Sequence, residues 1–125
     1  IVSCYNGLPV GGGAFSLSRI RLNKIASRST SLEDFLKHQL PKTVEIFCSF
    51  MEAKIDFLVE ETPFFKNNFL VKEGFIRLED FIGLFGLVGM AECVNKLMEL
   101  EGKNGRYGKS AEANQMAVQI LDTLQ

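Results

Sequence analysis

A helix-rich α/β fold with one or two short strands follows from three observations on this sequence. Apolar residues recur at three- and four-residue spacings through residues 42–61, 86–101 and 111–124; the stretch 14–20 alternates; and the 125 residues are 46% hydrophobic and 23% charged, enough to build a core. Spacings of three and four place apolar side chains on one stripe of a helix, whereas alternation places them on one face of a strand. The chain therefore reads as a single partial domain, in which residues 1–30 hold a cysteine-bearing loop, a strand and a linker, and residues 31–125 are mainly helical.

The elements follow in order. Ser3-Cys4-Tyr5-Asn6-Gly7-Leu8-Pro9-Val10-Gly11-Gly12-Gly13 is a loop, because its Gly/Pro content favours turns and close backbone approach. Ala14 to Ile20 carries Phe15 and Leu17 on one face and predicts a short strand, and Arg21 to Ala26 forms a helical turn or more. Arg28 to Ser31 is a polar linker. Ser31 followed by Asp34 is an N-cap signal for a helix to about Gln39, and Pro41 suits the first turn of a second helix, 42–61. The polar side of that helix carries Lys42, Glu45, Glu52 and Asp56, a solvated face, and Thr62-Pro63 ends it. Phe64 to Lys72 is an aromatic-rich connection, and Phe75 to Asp80 is a short strand or an irregular entry to the next helix. Gly83, Gly86 and Gly89 recur every third residue; on a helical start they share one side and leave room for a neighbouring backbone or ligand, or pack closely. A helix over 86–101, a polar turn from Glu101 to Lys109 and a last helix over 111–124 capped by Ser110 complete the chain.

Charge and cysteine usage narrow the function classes. The net charge is −1 with no basic run, which gives no support to a nucleic-acid or anionic-membrane partner. The longest uncharged helical-looking run, Phe81 to Ala91, is far short of the roughly 20 apolar residues that span a bilayer. The chain starts at Ile1 and shows no basic segment followed by a cleavable apolar one, so the expectation is an internal fragment without a signal peptide. Cys4, Cys48 and Cys93 are odd in number and far apart, which fits neither a disulfide framework nor a zinc spacing and points to a reducing, cytoplasmic setting. Cys48, on the stripe Val44, Cys48, Met51, Ile55, Leu58, and Cys93, beside Leu87, Met90, Val94 and Leu97, are expected in the core.

Cys4 stands apart. A nucleophilic or metal-binding cysteine must be a thiolate, which neighbouring cations favour. Cys4 lies among Val2, Tyr5, Leu8 and Val10, and the first cation along the chain is Arg19. Those surroundings keep the sulfur protonated, and a neutral thiol suits hydrogen-atom transfer. Local features leave two readings open: a buried structural cysteine, or a thiol that gives up a hydrogen atom and then attacks a substrate C–H bond. Other motifs fail. Gly108-Lys109-Ser110 lacks the earlier glycine of a P-loop, since Lys103 occupies that position, and Gly11-Gly12-Gly13 does not complete a dinucleotide fingerprint because Ser16 stands at its last glycine. His38, the only histidine, has no nucleophile near it in sequence and belongs on a helix surface.

The Cys4 loop, followed by a strand running into Leu22-x-x-Ile25-Ala26, resembles the central part of glycyl-radical enzymes, most like anaerobic ribonucleotide reductase and, more distantly, pyruvate formate-lyase. Ile82-Gly83-Leu84-Phe85-Gly86-Leu87-Val88-Gly89-Met90-Ala91-Glu92-Cys93-Val94 is similar to that family's I-G-x-x-G-L-x-E-x-V helix entry, so the likeness covers nearly the whole chain. The resemblance implies a section of an α/β barrel in which Cys4 is the thiyl site, with Tyr5, Asn6, Arg21 and Glu92 as substrate-pocket residues. It implies a radical stored on a backbone glycine outside this chain and installed by a radical S-adenosylmethionine activating enzyme. It also implies an unknown small organic substrate and an oxygen-sensitive reaction.

The pattern departs from the reductases in two places. Arg21 stands where they carry a substrate-site Asn, and Asn23 where they carry Pro, which counts against nucleotide reduction. An R-x-x-G-[YF] glycyl loop is absent, Gly105-Arg106-Tyr107-Gly108 having the wrong order. The expectation is thus a divergent glycyl-radical protein whose fragment is inactive alone and whose incomplete core favours self-association. The alternatives are a non-catalytic helical interaction module, built from the amphipathic helices and eleven Phe residues, and ribonucleotide reductase itself.

Overall fold

The computed structural model describes residues 8–125. Its backbone is mostly helical and includes a two-stranded parallel sheet. Strand β1 covers Gly13–Arg21 and leads directly into helix α1, Leu22–Arg28, as the alternation and the following three-and-four spacing predict. Ser31 caps the next helix, its Oγ accepting the Asp34 N–H at 3.1 Å, while Asp34 Oδ2 accepts the Thr30 N–H at 3.1 Å. These two bonds satisfy amide donors that a helix start leaves without partners.

From that cap the chain runs as helix without a break to Glu61: α2 (Leu32–Asp34), a π-helical turn (Phe35–Gln39), α3 (Leu40–Asp56) and a second π-helical turn (Phe57–Glu61). The expected break before Pro41 is therefore absent. Proline lacks an N–H and its ring collides with the carbonyl four residues back, and the wider turn just before Pro41 gives the ring that space. The helix stops at Thr62, which turns to extended backbone. Phe64 to Lys72 condenses into two single turns, α4 (Phe64–Asn67) and α5 (Phe69–Lys72).

Two boundaries move from their expected places. Phe75 to Asp80 is not a strand: it holds a 3₁₀ turn, Leu78–Asp80, and the second strand β2 is Phe81–Val88. The glycines Gly83 and Gly86 thus lie on a strand and not on a helical start, and helix α6 begins only at Met90 and ends at Leu100. Each interior glycine costs a helix about 1 kcal/mol relative to alanine, whereas an uninterrupted apolar run is what parallel strands carry. Gly89 forms the hinge between strand and helix at φ +81°, and a Cβ there would lie 2.8 Å from Asn23 Cβ. Helix α7, Ala111–Leu124, closes the chain.

The described residues form two compact units. One combines the stretch ending at Ser18 with Ser49–Gly86; the other combines Arg19–Cys48 with Leu87–Gln125. The second unit holds the main core, in which Leu22 and Ala26 of α1, Phe35, Leu40, Val94 and Leu97 of α6, and Ala113 and Ile120 of α7 are wholly buried. Cys93 belongs to it as expected. Cys48 does not: it is exposed, because the inward stripe of α3 is carried by Val44 and Met51 and the cysteine lies off it. No helix among the described residues is long and apolar enough to cross a membrane.

Candidate functional site

In the first unit the cysteine-bearing loop joins the sheet through three successive glycines, and each meets the same short turn. The Gly11 carbonyl accepts the Arg77 N–H at 2.7 Å, with Gly11 at φ +83°, a conformation glycine adopts without a Cβ clash. At Gly12 a Cβ would stand 2.1 Å from the Asp80 carbonyl oxygen, and at Gly13 it would stand 2.7 Å from the Phe81 ring. No other residue type fits the last two positions without moving backbone or ring. The Gly12 N–H in turn donates to the Pro9 carbonyl at 3.1 Å, which closes a tight turn ahead of β1.

The turn that receives the glycines carries one charge pair. Arg77 Nη2 lies 2.6 Å from Asp80 Oδ2, with the arginine side chain largely exposed and the aspartate mostly covered. Oδ2 is itself closed off from solvent. A buried carboxylate oxygen needs a charge or donor against it, and the guanidinium supplies the charge. Gly11 lies beside the pair, its Cβ position 3.8 Å from Oδ2.

Next to the glycines stands an aromatic wall. Phe15 on β1, Phe65 on α4 and Phe81 on β2 meet with ring centroids 4.9 to 5.8 Å apart, and Phe64 packs edge-on to Phe65 at 5.0 Å. These separations are those of favourable edge-to-face and tilted pairs. With Ala14 and Leu58 they line an apolar cavity of about 150 Å³. No titratable side chain lines it. Its lining is apolar throughout, so the start of β1 lies beside a surface with no charged group.

Cys4, Tyr5 and Asn6 lie outside the described residues. Arg21 is exposed at the junction of β1 and α1, and Glu92 is exposed in the first turn of α6, where its charge complements the helix dipole. Among the described residues neither forms an ion pair. Cys93 is buried, and desolvation pushes its thiol up to about 12. It is therefore an inert core thiol. The sequence reading missed Arg77, Asp80 and the Phe15–Phe65–Phe81 wall. An Arg and an Asp three residues apart immediately before an apolar run was the available signal, but partners 64 to 70 residues along the chain from the glycines are not visible in local pattern.

Comparison with known proteins settles the family. A model described as "Glycyl radical enzyme YjjI-like" matches residues 1–125. The chain belongs to this glycyl radical enzyme family. It is 48% identical over 120 residues to the "Uncharacterized protein YjjI" of Escherichia coli (strain K12), covering 96% of this chain and 23% of that protein. It is 42% identical over 124 residues to an "Uncharacterized protein" of Haemophilus influenzae (strain ATCC 51907 / DSM 11121 / KW20 / Rd), covering 99% of this chain and 24% of that one. The chain thus spans about a quarter of the length of these relatives. No solved structure matches it. Membership of the family implies a glycyl radical cofactor.

Proposed function

We propose that this chain carries the hydrogen-relay cysteine of a glycyl radical enzyme, with Cys4 as the thiol that becomes a thiyl radical and attacks a C–H bond of a small organic substrate. The observation that carries the reading is the seat of the cysteine loop: three glycines pressed onto the Arg77–Phe81 turn beside an aromatic wall. That uncharged lining fits a radical cofactor, because neutral thiols and carbon radicals need no counter-charge. The glycyl radical, held on a glycine beyond this chain and installed by a radical S-adenosylmethionine enzyme, supplies the acceptor for the thiol hydrogen.

The steps on this chain balance with one hydrogen atom each. Cys4 loses hydrogen from sulfur, then regains one from the substrate carbon, so the thiol is restored and a carbon radical is left on the substrate. No proton, external oxidant or thiolate is required. Tyr5, Asn6, Arg21 and Glu92 remain the candidates for substrate contact on the strength of the family resemblance.

We assign the β1–α3–β2 segment to one section of an α/β barrel, since parallel neighbours joined by a long helical crossover are the repeating unit of such barrels. Phe50 and Phe57 are more than half exposed on the long helical run. Other segments of a longer chain would cover these rings. Family membership favours this enzyme reading over a helical interaction module, and Arg21 in place of the reductases' Asn keeps the substrate apart from nucleotides.

The test uses the full-length protein activated anaerobically by its radical S-adenosylmethionine enzyme. Wild type and Cys4→Ser are both expected to develop the glycyl signal by electron paramagnetic resonance, and only wild type to turn over substrate, since an alcohol O–H is too strong to yield its hydrogen. Turnover by Cys4→Ser would overturn the proposal.

A further inference from the structure

The polar turn between α6 and α7 is tied to both helices. Asn95 of α6 accepts the Tyr107 N–H on Oδ1 at 3.0 Å, and Asn114 of α7 accepts the Gly108 N–H on Oδ1 at 2.7 Å. The Arg106 carbonyl accepts the Lys109 and Ser110 N–H groups at 3.0 and 3.1 Å. Gly105 leaves no slack, since a Cβ there would lie 2.6 Å from Met98 Cε and 2.8 Å from Ser110 Oγ. Backbone held in this way fixes where Lys103, Arg106 and Lys109 begin, and these three line one cavity of about 620 Å³ together with Asn95, Glu99 and Ser110. Three cations thus share a wall with one carboxylate, in a chain whose net charge is −1. Lys103 is paired with Glu112 at 3.0 Å and Glu99 with Lys96 at 3.6 Å, whereas among the described residues neither Arg106 nor Lys109 forms an ion pair. Gathered like charges repel one another and weaken a fold, and packing does not call for them here, because all three residues are exposed. A bound anion would reverse that cost.

We propose that this cavity is an anion site that takes the phosphate group of a small molecule. Two ammonium groups and a guanidinium start from three positions along the turn, which suits a tetrahedral dianion whose oxygens accept from several directions; a planar carboxylate is satisfied by one arginine. Cavities that hold small ligands run to about 300–1,000 Å³, so this one has room for a phosphate and the body of the molecule that carries it. The turn is not a P-loop: helix α6 precedes it where that motif has a strand, so side chains and not a glycine-rich backbone supply the donors. All the residues of the site lie in the second unit, and none belongs to the Cys4 loop.

The experiment is isothermal titration calorimetry on the full-length protein without radical activation, with inorganic phosphate and pyrophosphate as probes and malonate as a dianion of planar groups. Wild type should bind both phosphates, bind them less tightly as NaCl rises from about 0.05 to 0.5 M, and bind malonate at least about 10-fold more weakly. Lys109→Gln and Arg106→Gln should each raise the pyrophosphate Kd about 10-fold, the worth of one charge-assisted hydrogen bond. Lys72→Gln, exposed in the first unit, should leave it unchanged. Asn95→Asp keeps an oxygen acceptor for the Tyr107 amide but adds a negative charge to the lining, so it should abolish binding with little change in melting temperature. Should that variant fail to fold, Lys109→Gln and Arg106→Gln decide, since both positions are exposed. No heat from wild type with millimolar phosphate or pyrophosphate overturns the proposal, including the case in which another segment of the longer chain fills the cavity. Malonate bound as tightly as phosphate, or an equal loss in Lys72→Gln and Lys109→Gln, would show attraction by surface charge only and overturn it as well.

Discussion

Replacing Gly12 by alanine puts a methyl carbon 2.1 Å from the Asp80 carbonyl oxygen, 2.9 Å from the Asp80 carbonyl carbon and 2.9 Å from Pro9 Cγ. Atoms in ordinary contact stay about 3.5 Å apart, so the backbone must give by more than about 1 Å, and two of the three obstacles are backbone. Overpacking of this kind costs about 1–3 kcal/mol. The displaced strand start also loses or stretches the Arg77 N–H to Gly11 C=O bond, worth about 0.5–1.5 kcal/mol, for a combined loss of about 2–4 kcal/mol. The Arg77 amide reports this directly by hydrogen exchange, since its protection depends on that one bond. At about 1.4 kcal/mol per tenfold, its exchange should accelerate roughly 30- to 1000-fold in Gly12→Ala. Gly83→Ala is the control: its new methyl would meet Ile55 Cδ1 and Met51 Cε at 3.5 Å, an ordinary contact, and should leave Arg77 exchange unchanged. Equal Arg77 exchange in Gly12→Ala and wild type would refute the close seat of the cysteine loop.

The other predictions concern the second unit. Gly89→Ala combines a left-handed backbone, costing about 1–2 kcal/mol, with a Cβ 2.8 Å from Asn23 Cβ, and should lower the denaturation midpoint more than alanine at Gly102, whose left-handed backbone meets nothing within 4 Å. Cys93→Ser should cost about 1–3 kcal/mol by burying a hydroxyl without a partner, whereas exposed Cys48→Ser should stay within about 0.5 kcal/mol in urea titration. The Cys93 thiol is raised by desolvation from 9.0 to about 12. The unfolded chain therefore releases this proton first, and the contribution of Cys93 is fully present below about pH 9 and lost as pH rises through about 12. A pH-stability profile whose decline over that window is the same in wild type and Cys93→Ala would contradict this.

Local pattern carried the elements with strong periodicity and clear caps. Ser31 and Ser110 cap the helices they were expected to cap, and β1 runs one residue past its expected bounds at either end. Pattern failed where three-dimensional context decides. The glycines at 83 and 86 mimic a small-residue helix face, but backbone pairing with β1 makes their segment a strand. Pro41 signals a helix start, yet a π-helical turn lets the helix pass through it. Cys48 sits on an apolar stripe in sequence but lies exposed, since a stripe drawn through several residues does not say which of them are covered. The seat of the cysteine loop was half legible: Gly11 to Gly13 announced a close approach, while Arg77, Asp80 and Phe81 could be found only once β2 was set beside β1.

Hydrogen transfer between Cys4 and the radical glycine is the central claim, and solvent deuterium tests it most directly. Full-length protein activated anaerobically and moved from H₂O to D₂O should show its glycyl doublet collapse to a singlet without loss of spins, and Cys4→Ser should hold the doublet indefinitely. A doublet that collapses equally fast in Cys4→Ser would show that another group exchanges the glycine hydrogen, and Cys4 would then have no part in the radical chemistry.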